Sequence, residues 1–238
     1  PEELLDELSI KKRASYSGLV LNERGFSRAL DSECDEITFV IVASDEFSLR
    51  NQGMTTAQSI QYISELLANK EKGIKVCISI AAAFGCPFEG EVKPSRVIEI
   101  AEKCLDLRPD EISLADTIGV AVPKDIKEKV EPLISLYSDT PVRLHLHNTR
   151  NTAISNAWTA FELGVKRFDA SFGGIGGCPF APNATGNVAI EDLIYLFERS
   201  GFNTGVDLDA SIKVAEWLRE QVKHPLPSAL LAAGDFKI

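Results

Sequence analysis

Histidine is scarce in this chain: three residues among 238, beside one methionine and two tryptophans. No apolar run reaches the roughly 18 residues that a membrane-crossing helix needs, so no membrane span is expected. Positive charge is in deficit, with 25 Lys and Arg against 35 Asp and Glu and a formal net charge of -10. That balance argues against a nucleic-acid partner, whose phosphates demand clustered basic residues. Paired cysteine spacing is also missing. Cys34, Cys77, Cys86, Cys104 and Cys178 are odd in number, follow no structural-zinc pattern and have no secretory signal ahead of them. Free thiols in apolar surroundings fit a reducing compartment, and the cytoplasm is the expected one, or the mitochondrial matrix in a eukaryote.

What is present is an ordinary globular composition, 45% hydrophobic, read as one domain over 1–238. Strand patterns are expected at Ala14 to Leu21, Glu36 to Val42, Ile74 to Ile80, Glu111 to Asp116, Val142 to His147 and Arg167 to Ala170. Helical patterns alternate with them at Gly25 to Ser32, Thr56 to Lys70, Pro94 to Leu105, Lys124 to Leu136 and Thr152 to Leu163, and two more follow at Ile190 to Ser200 and Asp209 to Lys223. Pro94 and Pro123 mark helix starts, and Gly73 and Gly164 mark stops. Pro1 to Ile10 reads as the tail of an amphipathic helix. Alternating strands and helices imply a parallel sheet, and the Val-, Ile- and Phe-rich strands suggest burial on both faces. Six strands fit a flavodoxin-like open sheet or part of a closed barrel. Polar residues follow many different strands, at Asn22, Ser44, Asp116, His145 and Ser171, which suits a ring of loops better than a single crevice.

Two of the three histidines stand two apart, in Leu144-His145-Leu146-His147. Side chains at that spacing on a strand share a face, so both imidazoles face one way at the strand end, as a metal pair or as surface residues. Downstream, Gly173, Gly174, Gly176 and Gly177 make Phe172 to Cys178 a loop rather than a helix or central strand. A thiol, Cys178, and an amide oxygen, Asn187, follow. No phosphate-loop lysine pattern accompanies the glycines.

His145-Leu-His147, Gly173-Gly-Ile-Gly-Gly-Cys-Pro-Phe-Ala181, Ala184-Thr-Gly-Asn187, Ser113-Leu-Ala-Asp-Thr-Ile-Gly119, Phe84-Gly-Cys-Pro-Phe-Glu-Gly90 and Leu21-Asn-Glu-Arg-Gly25 together resemble the 3-hydroxy-3-methylglutaryl-CoA lyases of the DRE-TIM metallolyase superfamily. The resemblance implies a TIM (β/α)8 barrel of which this chain holds about six units. The first two strands would precede Pro1, with an Arg-Asp-Gly motif that supplies one metal ligand and the principal catalytic arginine. It implies His145, His147 and Asn187 as ligands of Mg²⁺ or Mn²⁺, with a helix cap as the alternative for Asn187. Cys178 is implied as the proton donor to the forming enolate and Asp116 as an active-site residue, with a turn cap as the competing role for Asp116. Glu191 is expected to support the site through a hydrogen bond, and the Cys86 to Gly90 loop to border a CoA channel. The implied reaction splits a 3-hydroxyacyl-CoA into acetyl-CoA and acetoacetate, as in leucine degradation and ketone-body formation, in a homodimer. Rival readings are a condensing enzyme of the same superfamily and a non-catalytic CoA-binding barrel. One departure stands out: where the family shows Asp-Thr, a Tyr or Arg, then Gly, this chain has Asn148-Thr-Arg-Asn151, which is expected to alter the turn and remove a carboxylate near the metal.

Overall fold

The computed structural model describes residues 2–9, 14–32, 34–68, 73–178 and 181–236. Helix α1 (Glu2–Ser9) precedes β1 (Ser17–Val20), α2 (Glu23–Leu30), β2 (Glu36–Val42), α3 (Asp45–Gln52), α4 (Thr56–Ala68), β3 (Lys75–Ala81), α5 (Pro94–Leu105), β4 (Glu111–Asp116), α6 (Pro123–Leu136), β5 (Val142–Leu146), α7 (Ala153–Glu162) and β6 (Arg167–Asp169). A 3-10 turn at Phe172–Gly174 leads to a small hairpin of β7 (Gly177–Cys178) and β8 (Ala181–Thr185), and α8 (Ile190–Arg199), α9 (Leu208–Val222) and α10 (Ala229–Ala233) follow. All six expected strands are present. Position 70, the expected end of the helix from Thr56, lies outside the described residues.

The six strands are parallel and lie in sequential order, β1-β2-β3-β4-β5-β6. An open doubly wound sheet would reverse direction partway across. Right-handed crossovers that always step the same way put every helix on one face, and the sheet curls as part of a (β/α)8 barrel. Local chemistry sets the joints. The Asn22 side chain accepts a hydrogen bond from Gly25 N at 2.9 Å to start α2, Ser44 Oγ does the same for Phe47 N in α3, and Pro94 and Pro123 open α5 and α6.

The two faces of the sheet differ in chemistry, although β4 is buried on both, as expected. Toward the helices point Ile37, Phe39 and Ile41 of β2, over α3 and α4, and Val76, Ile78, Ile80, Ile112, Leu114, Leu144 and Leu146 of β3 to β5, over α5, α6 and α7; all are buried in one core with Val97, Ile100, Ile126, Val130 and Ala157. Each such aliphatic side chain contributes about 1.5–3 kcal/mol on leaving water. The alternate positions, on the concave side, include Glu36 and Thr38 of β2, Cys77 and Ser79 of β3, Glu111 and Ser113 of β4, Arg143 and His145 of β5, and Arg167 and Asp169 of β6, with the apolar Val40, Val42, Ala81 and Ala115 nearer the strand ends. A polar lumen therefore stands against an apolar shell.

Candidate active site

In a barrel of this winding, ligands meet the loops at the carboxyl ends of the strands. Leu146 ends β5, and His147 follows in an isolated antiparallel bridge to Asn187. Asn148 N donates to Gly186 O at 3.0 Å and Val188 N to Leu146 O at 2.9 Å. These bonds flank the His147–Asn187 pair instead of joining it, which is the close pairing in which opposite α-carbons approach to about 4.5 Å with side chains on one side. His145, two residues back, shares that face, and its ring centroid lies 5.3 Å from that of His147. Backbone geometry thus brings both imidazoles and the Asn187 amide together.

Their hydrogen bonding leaves the right atoms over. Asn187 Nδ2 donates to Ile175 O at 3.1 Å, which turns its oxygen the other way. Asn187 Oδ1 is buried without a hydrogen-bond partner, as is His147 Nδ1. Burial first, and the neighbouring His145 second, pull the His147 pKa down from 6.5 to about 4, so this ring is neutral near pH 7. Orphaned buried acceptors each cost about 1–3 kcal/mol, and a cation would satisfy both at once. Two imidazole nitrogens and a hard amide oxygen fit a divalent ion with open positions for oxygen ligands, the coordination suited to Mg²⁺ or Mn²⁺. The helix cap considered for Asn187 is ruled out, because Ala189 occupies the N-cap of α8 without a side-chain bond.

Glycine shapes this pocket where no other residue fits. Gly176 has φ +135, and a Cβ there would stand 2.4 Å from Asn187 Nδ2. Glu191 of α8 accepts from Gly173 N at 2.8 Å and so holds the 3-10 turn; burial pushes its carboxyl pKa up. The backbone of Cys178 lies in β7, in register with Ala181. The Cys178 side chain, and residues 179 and 180 entirely, lie outside the described part of the molecule.

Asp116 is placed differently from the histidines. It pairs in register with Leu146, whereas Ala115 pairs with His145, so its side chain has the opposite parity. Oδ1 accepts from Val120 N at 2.9 Å and Oδ2 from Ala121 N at 3.0 Å, and burial outweighs these bonds to push its carboxyl pKa up. Both oxygens thus serve the turn after β4, the competing role expected for this residue. In the turn after His147, Asn151 stands where the family has glycine. Asn151 takes φ +61, the left-handed conformation that Asn tolerates best after Gly, and its N–H donates to Asn148 O at 3.0 Å. Asn148 Oδ1 accepts from Ala153 N at the start of α7. The turn survives without glycine. At the rim, Cys86 and Gly90 exchange two backbone bonds, and the buried Lys129 Nζ donates to Phe84 O at 3.4 Å.

Sequence reasoning missed the charged residues below the histidines. Ligand atoms of Glu36, Cys77 and Glu111 lie within 4.8 Å of one another. A guanidinium supplies the positive charge in this cluster: Arg143 Nη2 reaches Glu36 Oε1 at 3.0 Å and contacts Glu111 Oε2, and Arg167 Nη1 reaches Glu111 Oε1 at 2.8 Å. Burial pushes the Cys77 thiol up to about 12, leaving it inert. Asp169, in register with His145, sets Oδ2 3.3 Å from His145 Nδ1. Only the pairing of β5 with β6 reveals this contact, 24 residues along the chain. A cleft of about 780 Å³ runs past His145 and Asp169 to Phe168, Phe197 and Phe202. Among the described residues no helix is long and apolar enough to cross a membrane.

A family model described as HMGL-like matches residues 6–218. The (R)-citramalyl-CoA lyase of Chloroflexus aurantiacus is 44% identical over 92% of this chain and 69% of its own length. The hydroxymethylglutaryl-CoA lyase of Bacillus subtilis is 34% identical over 92% of this chain and 73% of its own. Among solved structures, an HMG-CoA lyase from Acinetobacter baumannii in complex with coenzyme A and 3-methylmalate matches with a TM-score of 0.93 at 38% identity, covering 100% of this chain and 79% of that one.

Proposed function

Because the chain belongs to the HMGL-like family, whose relatives named above are carbon–carbon lyases, we propose that it cleaves a 3-hydroxy-3-methylacyl-CoA between its second and third carbons. The first candidate substrate is 3-hydroxy-3-methylglutaryl-CoA, giving acetyl-CoA and acetoacetate. The 44% identity to a citramalyl-CoA lyase supports a second, citramalyl-CoA, which has the same methyl-bearing tertiary alcohol and a shorter acid and would give acetyl-CoA and pyruvate. One observation carries the reading: the unpartnered His147 Nδ1 and Asn187 Oδ1 are buried beside His145 at the mouth of a barrel.

In the proposed reaction the substrate hydroxyl loses its proton, the bond between the second and third carbons breaks, and its electron pair becomes the thioester enolate while the third carbon becomes a ketone. Mg²⁺ or Mn²⁺, held by His145, His147 and Asn187, would supply Lewis acidity toward the hydroxyl and carboxylate oxygens. The neutral His147 adds no positive charge of its own to repel a cation. Cys178, on the hairpin after the glycine turn, would protonate the enolate carbon to complete acetyl-CoA. Gly173 to Gly177 would let that hairpin settle over the mouth and exclude water. Asp116 enters as the anchor of the β4 turn, and Glu191 as the anchor of the glycine turn.

Steady-state kcat/KM for 3-hydroxy-3-methylglutaryl-CoA and for citramalyl-CoA tests this directly. Cleavage of either supports the reading, and the larger value names the substrate. Condensation of acetyl-CoA with 2-oxo acids and no cleavage would favour the condensing rival; ligand binding without turnover would favour a non-catalytic barrel.

A further inference from the structure

Below the proposed ion site, charged side chains from four strands form a continuous chain of contacts. Glu36 of β2 and Glu111 of β4 both meet the Arg143 guanidinium of β5. Glu111 is held on its other oxygen by Arg167 of β6. Arg143 then turns Nη1 to Asp169 Oδ1 at 3.8 Å, and Asp169 turns its other oxygen, Oδ2, to His145 Nδ1 at 3.3 Å. Glu111 is 1% exposed and Arg143 18%, so this end of the chain of contacts is not a screened surface cluster of the kind that contributes little, whereas Asp169 and His145 are 40% and 33% exposed and stand open to the lumen. The sequence spacing of Arg143 and His145 makes the geometry obligatory, because residues two apart on β5 face the lumen together and the register of β6 sets Asp169 beside His145.

We infer that Asp169, itself oriented by Arg143, is a positioning residue that fixes the ring orientation and tautomer of His145. A carboxylate oxygen 3.3 Å from Nδ1 favours the tautomer with the proton on Nδ1, which leaves the Nε2 lone pair free. A neutral imidazole can offer a cation only the nitrogen that carries no proton, so the tautomer decides whether His145 is a ligand. Arg143 contributes twice. It keeps a positive group on Oδ1, which holds the carboxylate plane with Oδ2 toward the imidazole, and its own place is fixed by Glu36 and Glu111. This rests on the reading of His145 as a metal ligand and adds to it a supporting set that neither the histidine motif nor the glycine loop contains.

The chain has only three histidines, so ring nitrogens can be assigned in long-range proton–nitrogen correlation spectra of the metal-free protein, with His145→Ala identifying its own signals. Wild-type His145 is expected to carry its proton on Nδ1. In Asp169→Asn, Arg143 attracts the amide oxygen and presents the NH₂ group to Nδ1, so the proton is expected to move to Nε2. Mn²⁺ affinity, measured by calorimetry, is expected to fall about 10- to 100-fold. Arg143→Met should weaken Mn²⁺ binding in the same direction by a smaller factor, and Arg143→Lys should recover most of it. Unchanged His145 tautomer and Mn²⁺ affinity in Asp169→Asn would overturn the inference while leaving the metal reading intact. Wild-type Mn²⁺ affinity in His145→Ala would overturn the metal reading itself.

Discussion

A side-chain amide offers one oxygen and one nitrogen with two protons, and Asn187 commits the nitrogen to Ile175 O so that the oxygen is left for a ligand. Gly176→Ala tests that division without altering any proposed ligand. The added methyl would have to displace the Asn187 amide, 2.4 Å away, and Mn²⁺ affinity is expected to fall about tenfold or more; calorimetry showing no change would mean that the amide does not hold an ion. Asn151 makes the complementary case for backbone conformation. At φ +61, Asn151→Gly is expected to shift stability by less than about 1 kcal/mol, and Asn151→Val to cost about 1–2 kcal/mol, both read from urea midpoints. The imidazole pair was legible in sequence because strand period alone puts His145 and His147 on one face. Asp169 and Arg143 were not, because their contacts with His145 and Glu36 exist only once strand register and sheet curvature are known.

Elements with a clear hydrophobic period, such as α5 and α6, were legible to within a residue or two. Helix α3 was not: it is eight residues long with Phe47 its only large buried apolar side chain, so a cap at Ser44 and a left-handed Gly53 define it rather than periodicity. The hairpin of β7 and β8 hid for a related reason, since β7 is two residues long at the end of a glycine-rich run and its register with β8 is irregular. At the end of β4, Asp116→Ala strips two backbone amides of their acceptor and is expected to cost about 1–3 kcal/mol in a urea titration. A large loss of kcat at unchanged stability would instead place Asp116 at the substrate. Between α6 and the rim loop, burial holds the Lys129 pKa below its usual 10.5. From that lowered native value up to 10.5 the unfolded chain binds a proton that the native chain does not, so native stability rises with pH across the window. Lys129→Met lacks this gain, and its stability relative to wild type should be greatest near pH 7 and decline toward pH 10.5. A constant difference across that range would contradict the assignment of Lys129 as a buried, destabilised cation.

For the whole molecule, sequential parallel strands with an apolar outer face and a polar lumen set both the fold and the place of the chemistry. The apolar shell was legible as Val- and Ile-rich strands, as was the burial of β4 on both faces; the charged character of the lumen was not, because Glu36, Glu111 and Arg143 meet only across strands. The charged floor lies beneath the imidazoles of His145 and His147, and burial keeps His147 neutral at the mouth. The measurement that bears most directly on this account is the rate of acetyl-CoA release from 3-hydroxy-3-methylglutaryl-CoA and citramalyl-CoA by the purified protein before chelation, after exhaustive chelation, and after return of Mg²⁺ or Mn²⁺. Activity that disappears with the ion, returns with it in wild type, and fails to return in His147→Ala is the predicted result. Full activity in the stripped protein, or in His147→Ala, would contradict it.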